Sequence, residues 1–120
     1  MSYLWTTITV KDLDESLTFY QEIVGLPLNA RFQAGPETEI AFLGDGETKV
    51  ELITYKGKDA APVGTGISLG FSVVSLEDKI TFLKEMGIGI DGEIISPNPH
   101  ARFFFIQDPN GLRIQFVEQK

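Results

Sequence analysis

Residues 3–28 read YLWTTITVKDLDESLTFYQEIVGLPL, and the order of elements in this stretch decides the architecture. Its first eight residues, YLWTTITV, are β-branched and aromatic, the composition of a strand. Asp12 then stands where a helix N-cap belongs, with Glu15 three residues on in the manner of a capping box. Leu13, Leu17, Tyr20 and Val24 recur at helical spacing until Gly25 supplies the stop. A strand that runs straight into an amphipathic helix opens a βα unit.

Three strand-like stretches follow, LNARFQA, TEIAFLG and KVELITY, separated by the turn signals GPE and GDGE. They suit an antiparallel meander. The polar, glycine-bearing segment KGKDAAPVGTG, residues 56–66, marks a loop, after which the pattern restarts. ISLGFSVV, residues 67–74, reads as a strand, and Ser75 with Asp78 repeats the capping logic ahead of Leu76, Ile80, Leu83 and Met86, with Gly87 as the stop. Further strands are expected around IGIDGEII, ARFFFIQ and LRIQFVE, the last two joined by the tight-turn sequence DPNG.

The order βαβββ therefore occurs twice. Asp12 and Leu13 fall on Ser75 and Leu76 at an offset of 63, and Val50 and Glu51 fall on Ile114 and Gln115 at an offset of 64. The expectation is an α+β protein, a single domain over 1–120 with an internal repeat of units 1–57 and 65–120. Strict alternation along the strands places Ile8 and Val10, Leu69, Phe71 and Val73, and Val50 and Leu52 under the helices. It turns Trp5, Thr7 and Thr9, Ser68, Gly70 and Ser72, and Glu51 and Ile53 to the open side. Two curved mixed sheets with their open faces turned inward would enclose a cavity suited to a small molecule.

Composition narrows the partners. Ten Lys and Arg against seventeen Asp and Glu give a net charge of −7, the wrong sign for a phosphate backbone or an anionic membrane surface, so no nucleic acid or membrane partner is expected. The same balance suits a cationic guest. Cysteine is absent, which removes disulfides, thiolate metal sites and cysteine nucleophiles and agrees with a reducing cytoplasm. No leader pattern opens the chain and no apolar run is long enough to span a bilayer, so the expected location is cytoplasmic. No strand-to-helix glycine fingerprint for phosphate is present either.

In TTITVKDLDESLTFYQEIVGLPL, KVELITY, LGFSVVSLEDKITFLKEMGI and RFFFIQDPNGLRIQFVE, the chain resembles the vicinal oxygen chelate superfamily over nearly its whole length. That superfamily includes glyoxalase I, extradiol dioxygenases, fosfomycin resistance enzymes and bleomycin resistance proteins. The resemblance implies paired βαβββ modules, a homodimer, and metal ligands at the start of the first strand and in the last strand of each module, usually His and Glu. The matching positions here are Trp5, Glu51, Ser68 and Gln115. Indole has no lone pair to offer, a serine hydroxyl is a poor ligand, and a glutamine carbonyl brings no charge. No metal cofactor is therefore expected. The positions that would hold ligands are nonetheless those that alternation already turns to the open side.

Glu51 is the candidate general base, or the partner of a cationic or hydrogen-bond-donating ligand; the plainer reading pairs it with Gln115 as an inherited remnant. Trp5 offers a flat apolar wall with one donor, or fills core. Thr7, Ile53, Ser68 and Gln115 complete the expected ligand-binding face. His100, the single histidine, sits in the loop SPNPHARFFF, where a solvated surface role is the ordinary one, and Arg102 beside it is a candidate anion ligand. Phe103, Phe104 and Phe105 run consecutively and must alternate between faces, most of their area going to core.

Two functions stay open. One is a metal-free protein that binds a small organic molecule, similar to the bleomycin resistance proteins. The other is a metal-dependent enzyme, a lyase like lactoylglutathione lyase or a dioxygenase, with a divalent ion held atypically by Glu51, Gln115 and His100. Metal-free catalysis with Glu51 as base ranks below both.

Overall fold

The computed structural model describes every residue from Met1 to Lys120 and divides into two units, Met1–Val63 and Gly64–Lys120. Unit 1 runs β1 (Trp5–Thr9), α1 (Leu13–Thr18), a π-helical segment (Phe19–Val24), β2 (Leu28–Gly35), β3 (Thr38–Leu43) and β4 (Lys49–Tyr55). Unit 2 runs β5 (Ser68–Ser72), α2 (Leu76–Glu85), β6 (Ile95–Asn98), β7 (Ala101–Gln107) and β8 (Arg113–Gln119). The sheets are ordered β1-β4-β3-β2 and β5-β8-β7-β6. In each, the first strand pairs parallel to the last and the meander is antiparallel, so both sheets are mixed. The α+β class and the doubled βαβββ order are those read from the sequence.

Both helices start where the capping pattern puts them. Asp12 Oδ1 accepts from the Glu15 amide at 3.0 Å, and Ser75 Oγ accepts from the Asp78 amide at 3.2 Å. The first helix ends at Gly25, whose φ of 94° is open to glycine at little cost. Its second half is π-helical, with the Gly25 amide reaching back five residues to the Tyr20 carbonyl at 3.1 Å. Apolar spacing cannot separate α from π over so few turns, so the helix read from that spacing includes a π-helical second half. Ile23 is buried, whereas Val24 is not.

Each core lies between a helix and one sheet face. In unit 1, Ile8, Val10, Ala41, Leu43, Val50 and Leu52 are buried, as are Leu13, Leu17, Tyr20 and Ile23 of the helical segment. In unit 2, Phe104, Ile106, Ile114 and Phe116 are buried with Leu76 and Leu83 of α2. Two expectations fail in unit 2. Met86, expected on the covered face, caps α2 and is exposed. The strand expected over IGIDGEII forms instead at Ile95–Asn98. The two glycines in that stretch bring no side chain to a sheet, Gly92 adopts a φ of 93°, and one amide, that of Asp91, bonds to the Phe105 carbonyl at 2.7 Å.

The DPNG turn sets the register of β7 on β8. Asp108 is buried, and its Oδ1 accepts from the amides of Asn110 at 2.8 Å and Leu112 at 2.9 Å. Asp108→Ala would strand both amides and is expected to cost about 1–3 kcal/mol in urea unfolding. Asp108→Asn keeps the accepting oxygen and should recover most of that loss. Equal losses in the two variants would show that the turn does not depend on Oδ1.

Candidate functional site

The open face of unit 1 follows from register. On β1 and β4, Trp5 pairs with Lys49, Thr7 with Glu51 and Thr9 with Ile53, while β3 sets Phe42 opposite Glu51 and Ile40 opposite Ile53. Ile8 of β1 and Val50 and Leu52 of β4 are buried toward the helix, so by alternation and register Trp5, Thr7, Glu51 and Ile53 share the uncovered side. Thr7 Oγ1 donates a hydrogen bond to Glu51 Oε1. Glu51 is half-buried within its unit, and this hydroxyl orients one carboxylate oxygen while the other stays available.

An aromatic row borders the carboxylate. The Trp5 indole meets Phe42 edge-on, with centroids 5.1 Å apart and planes at 73°. Strand β4 lies between β1 and β3, so the indole must cross β4 on the side of Glu51 to make that contact. Phe42 in turn stacks with Phe32 of β2 at 6.3 Å and 19°. Trp5 and Phe32 remain 43% and 45% exposed, so the two ends of the aromatic row leave apolar surface open. Phe32 and Phe42 escaped the sequence reading because alternation says which residues of one strand share a side, while the pairing of β2 with β3 decides which side that is.

Unit 2 repeats the plan with different chemistry. Ser68 pairs with Arg113, Gly70 with Gln115, and Phe105 with Gln115 across β7. Thr7 and Glu51 are thus replaced at equivalent positions by Gly70 and Gln115. The Gln115 side chain uses the room that glycine leaves, its Oε1 lying 3.0 Å from where a Cβ on Gly70 would stand. Arg113 lies over the Phe105 ring, its Cζ 3.7 Å from the centroid. It was legible as an open-side residue, two positions before Gln115 on one strand, but its stacking partner was not.

Arg102, the candidate anion ligand, lies away from the open face. It pairs with Glu118 on the helix-covered side of the sheet, beside the buried Phe104 and Ile106, and its guanidinium is claimed by two carboxylates, Glu77 at 2.7 Å and Glu118 at 3.0 Å. Glu118 Oε2 also accepts from the Leu76 amide at 2.8 Å. That amide, and then Arg102, hold the Glu118 carboxyl below the usual carboxylate range, and the two carboxylates raise the pKa of Arg102. The cluster ties α2 to β7 and β8 and has no part in the open face.

His100 lies in the turn between β6 and β7, exposed, with its carbonyl accepting from the Lys120 amide at 2.8 Å. Lys120 is about 17 Å beyond Gln115 along β8 at ordinary strand rise. The structure therefore does not bring His100 to Gln115, and the set Glu51, Gln115 and His100 is not assembled.

No three His, Cys, Asp or Glu side chains converge on a point that could hold a metal ion. Within unit 1 the space beside Glu51 that an imidazole would share is crossed by an indole with no lone pair. Ser68 and Gln115 bring neither charge nor nitrogen ligand in unit 2. The residues present do not fit a divalent ion. No helix is long and apolar enough to cross a membrane.

Comparison with known proteins agrees with this architecture. The sequence model of the Glyoxalase/Bleomycin resistance protein/Dioxygenase superfamily matches residues 2–116. The chain is 31% identical over 119 residues to the Bacillus subtilis (strain 168) protein YwbC, covering 95% of this chain and 94% of that one. It is 32% identical over 130 residues to the lactoylglutathione lyase of Haemophilus influenzae, covering 100% and 94%. Among solved structures, the trypanothione-dependent glyoxalase I of Leishmania major superposes with a TM-score of 0.84 at 25% identity, covering 98% of this chain and 86% of that one.

Proposed function

Since the chain belongs to the glyoxalase/bleomycin resistance protein/dioxygenase superfamily, we propose that it uses the open faces of its sheets to bind a small organic molecule, without a metal at the positions where glyoxalase-like members carry ligands. The observation that carries this reading is the Trp5 indole, laid across β4 to Phe42 beside the Thr7-oriented Glu51. An aromatic wall next to a held carboxylate binds by stacking and by one directed polar contact, and neither needs an ion. Thr7 and Ile53 border the same surface, and Ser68 and Gln115 are the corresponding polar groups of unit 2. Glu51 is also the one group placed to serve as a base, should a bound molecule present an acidic proton to its second oxygen.

The similarity to lactoylglutathione lyase supports a metal-dependent lyase as the second reading. It requires ligands that the nearby residues do not supply. Self-association is part of the proposal on physical grounds: β2 and β6 end their sheets, and each carries exposed apolar side chains, Leu28 and Phe32 on one and Ile95 on the other.

Metal analysis of purified protein separates the two readings. Tight stoichiometric binding of Zn, Ni, Fe, Mn or Co by calorimetry would sink the metal-free one. A thermal-shift screen of small aromatic compounds and organic cations should find stabilising ligands whose effect falls in both Trp5→Ala and Glu51→Gln. The loss expected from truncating one stacked aromatic is about tenfold in affinity or more. Shifts unaltered in both variants would place the ligand elsewhere.

A further inference from the structure

The open side of unit 2 carries a cation whose bonding capacity its own unit leaves largely unused. Arg113 is 40% exposed and sits with its Cζ 3.7 Å above the Phe105 ring, while Phe105 is braced edge-on by Phe103 at 5.8 Å and 84°. Its ion-pair partner, Asp91 Oδ2, is 3.8 Å from Nε, beyond hydrogen-bond distance, and that same oxygen already accepts from Gln107 at 3.3 Å. The equivalent position in unit 1 is Lys49, and its ammonium donates to the Gly46 carbonyl of its own loop. The two units thus treat the same register position differently, one using its cation to hold a turn and the other holding its cation flat and ready.

Stacking removes most of the motion of a long side chain, so the ordering entropy is largely settled before a ligand arrives. Ser68 and Gln115 share this face of the sheet with Arg113, Ser68 pairing with it on β5 and Gln115 following two residues on along β8, with its side chain turned over Gly70. Planar donors, an amide and a hydroxyl on one side of one sheet suit a planar oxyanion, which a guanidinium takes through two parallel N–H bonds. The rings of Phe103 and Phe105 favour a flat apolar body attached to that anion.

We propose that Arg113, stacked on Phe105 on the same sheet face as Gln115 and Ser68, is a carboxylate-recognition position, and that the ligand of this protein is an organic acid with a planar apolar portion. This rests on the reading that the open faces bind a small molecule and adds the ligand's chemical class. It runs against the net charge of −7, which by itself points to a cationic guest. A stacked guanidinium acts at contact distance, while the rest of the surface is screened within about 8 Å at physiological salt.

Benzoate and its neutral counterpart benzamide are the probes, titrated into wild type, Arg113→Gln, Arg113→Lys and Trp5→Ala and followed by thermal shift and by amide NMR. Wild type is expected to prefer benzoate by about tenfold or more, as for one charge-assisted pair. Arg113→Gln should abolish that preference by weakening benzoate far more than benzamide, and Arg113→Lys should keep a reduced preference, having the charge without the fork. Chemical-shift changes in wild type should centre on residues 68–72 and 113–117. Equal affinity for the two probes, or a benzoate preference that survives Arg113→Gln, overturns the proposal. If that happens while benzamide binding still depends on Trp5, the open-face reading stands alone; if neither probe binds, both fall.

Discussion

Replacing Phe116 with alanine is expected to lower the free energy of unfolding by about 3–5 kcal/mol, the range for deleting a fully buried ring. Phe116 has no exposed surface and occupies the middle of β8, between Phe71 of β5 and Phe104 of β7. Its ring lies 5.6 Å from that of Phe104, and the Lys79 ammonium of α2 sits 4.7 Å above it. Lys79 is partly desolvated there, which lowers its pKa, and its ammonium also lies 4.9 Å from the Phe82 ring centroid. Truncation would remove ring, aromatic contact and cation–π contact together, and the strands on either side cannot close a gap of that size. Leu52 of β4, the equivalent position in unit 1, is equally buried, and Leu52→Ala should cost about 2–5 kcal/mol. Urea unfolding with an unchanged m-value is the measurement; a loss under about 1 kcal/mol for Phe116→Ala would mean that the helix does not pack on β8 as described.

The fold was largely legible because its signals are local and mutually consistent. The pairs Asp12 with Glu15 and Ser75 with Asp78 mark helix starts through one side chain reaching one amide, a contact that needs no knowledge of the rest of the chain. The repeat was legible for the same reason, since the equivalence of Glu51 and Gln115 reappears in the pairings of Thr7 with Glu51 and Gly70 with Gln115. What failed was β6. A strand with no buried face, all four of whose residues are exposed, leaves no alternation to read, and only its bonds to β7 define it.

The candidate site's face was legible by strand and illegible across strands. Trp5, Thr7, Glu51 and Ile53 emerged from alternation alone, whereas Phe32 and Phe42 required the register of three strands. Arg102 was read as an anion ligand from its proximity in sequence to the Pro-rich loop, and alternation along ARFFFIQ puts it with Phe104 on the covered side. There its charge has a structural use that no single-strand pattern reveals, since the partners Glu77 and Glu118 come from α2 and β8.

That use has a pH signature. Glu118 accepts from the Leu76 amide at the start of α2 and from Arg102, and both contacts favour its ionised form. Glu77, on the first turn of the same helix, is likewise held below the usual range, mainly by Arg102. A carboxylate whose pKa is depressed by folding contributes stability that is complete above its unfolded value, about 4.3 for glutamate, and is lost as pH falls through the lower folded value. Wild type should therefore lose thermal stability progressively below about pH 4.3. Glu118→Ala removes the acceptor from the Leu76 amide and leaves Arg102 facing Glu77 alone. It should lower the melting temperature at pH 7 by roughly 5 °C and flatten the acid limb of the profile. Glu118→Gln keeps an oxygen for the Leu76 amide, so it should melt between the two while showing the same flattened limb. Arg102→Ala tests the sharing of the guanidinium: with Glu118 still capping α2, its loss at pH 7 should be smaller than that of Glu118→Ala. If Glu118→Ala retains the full acid limb of wild type, the acid sensitivity arises from other carboxylates, and the tie between α2 and β8 is weaker than its geometry implies.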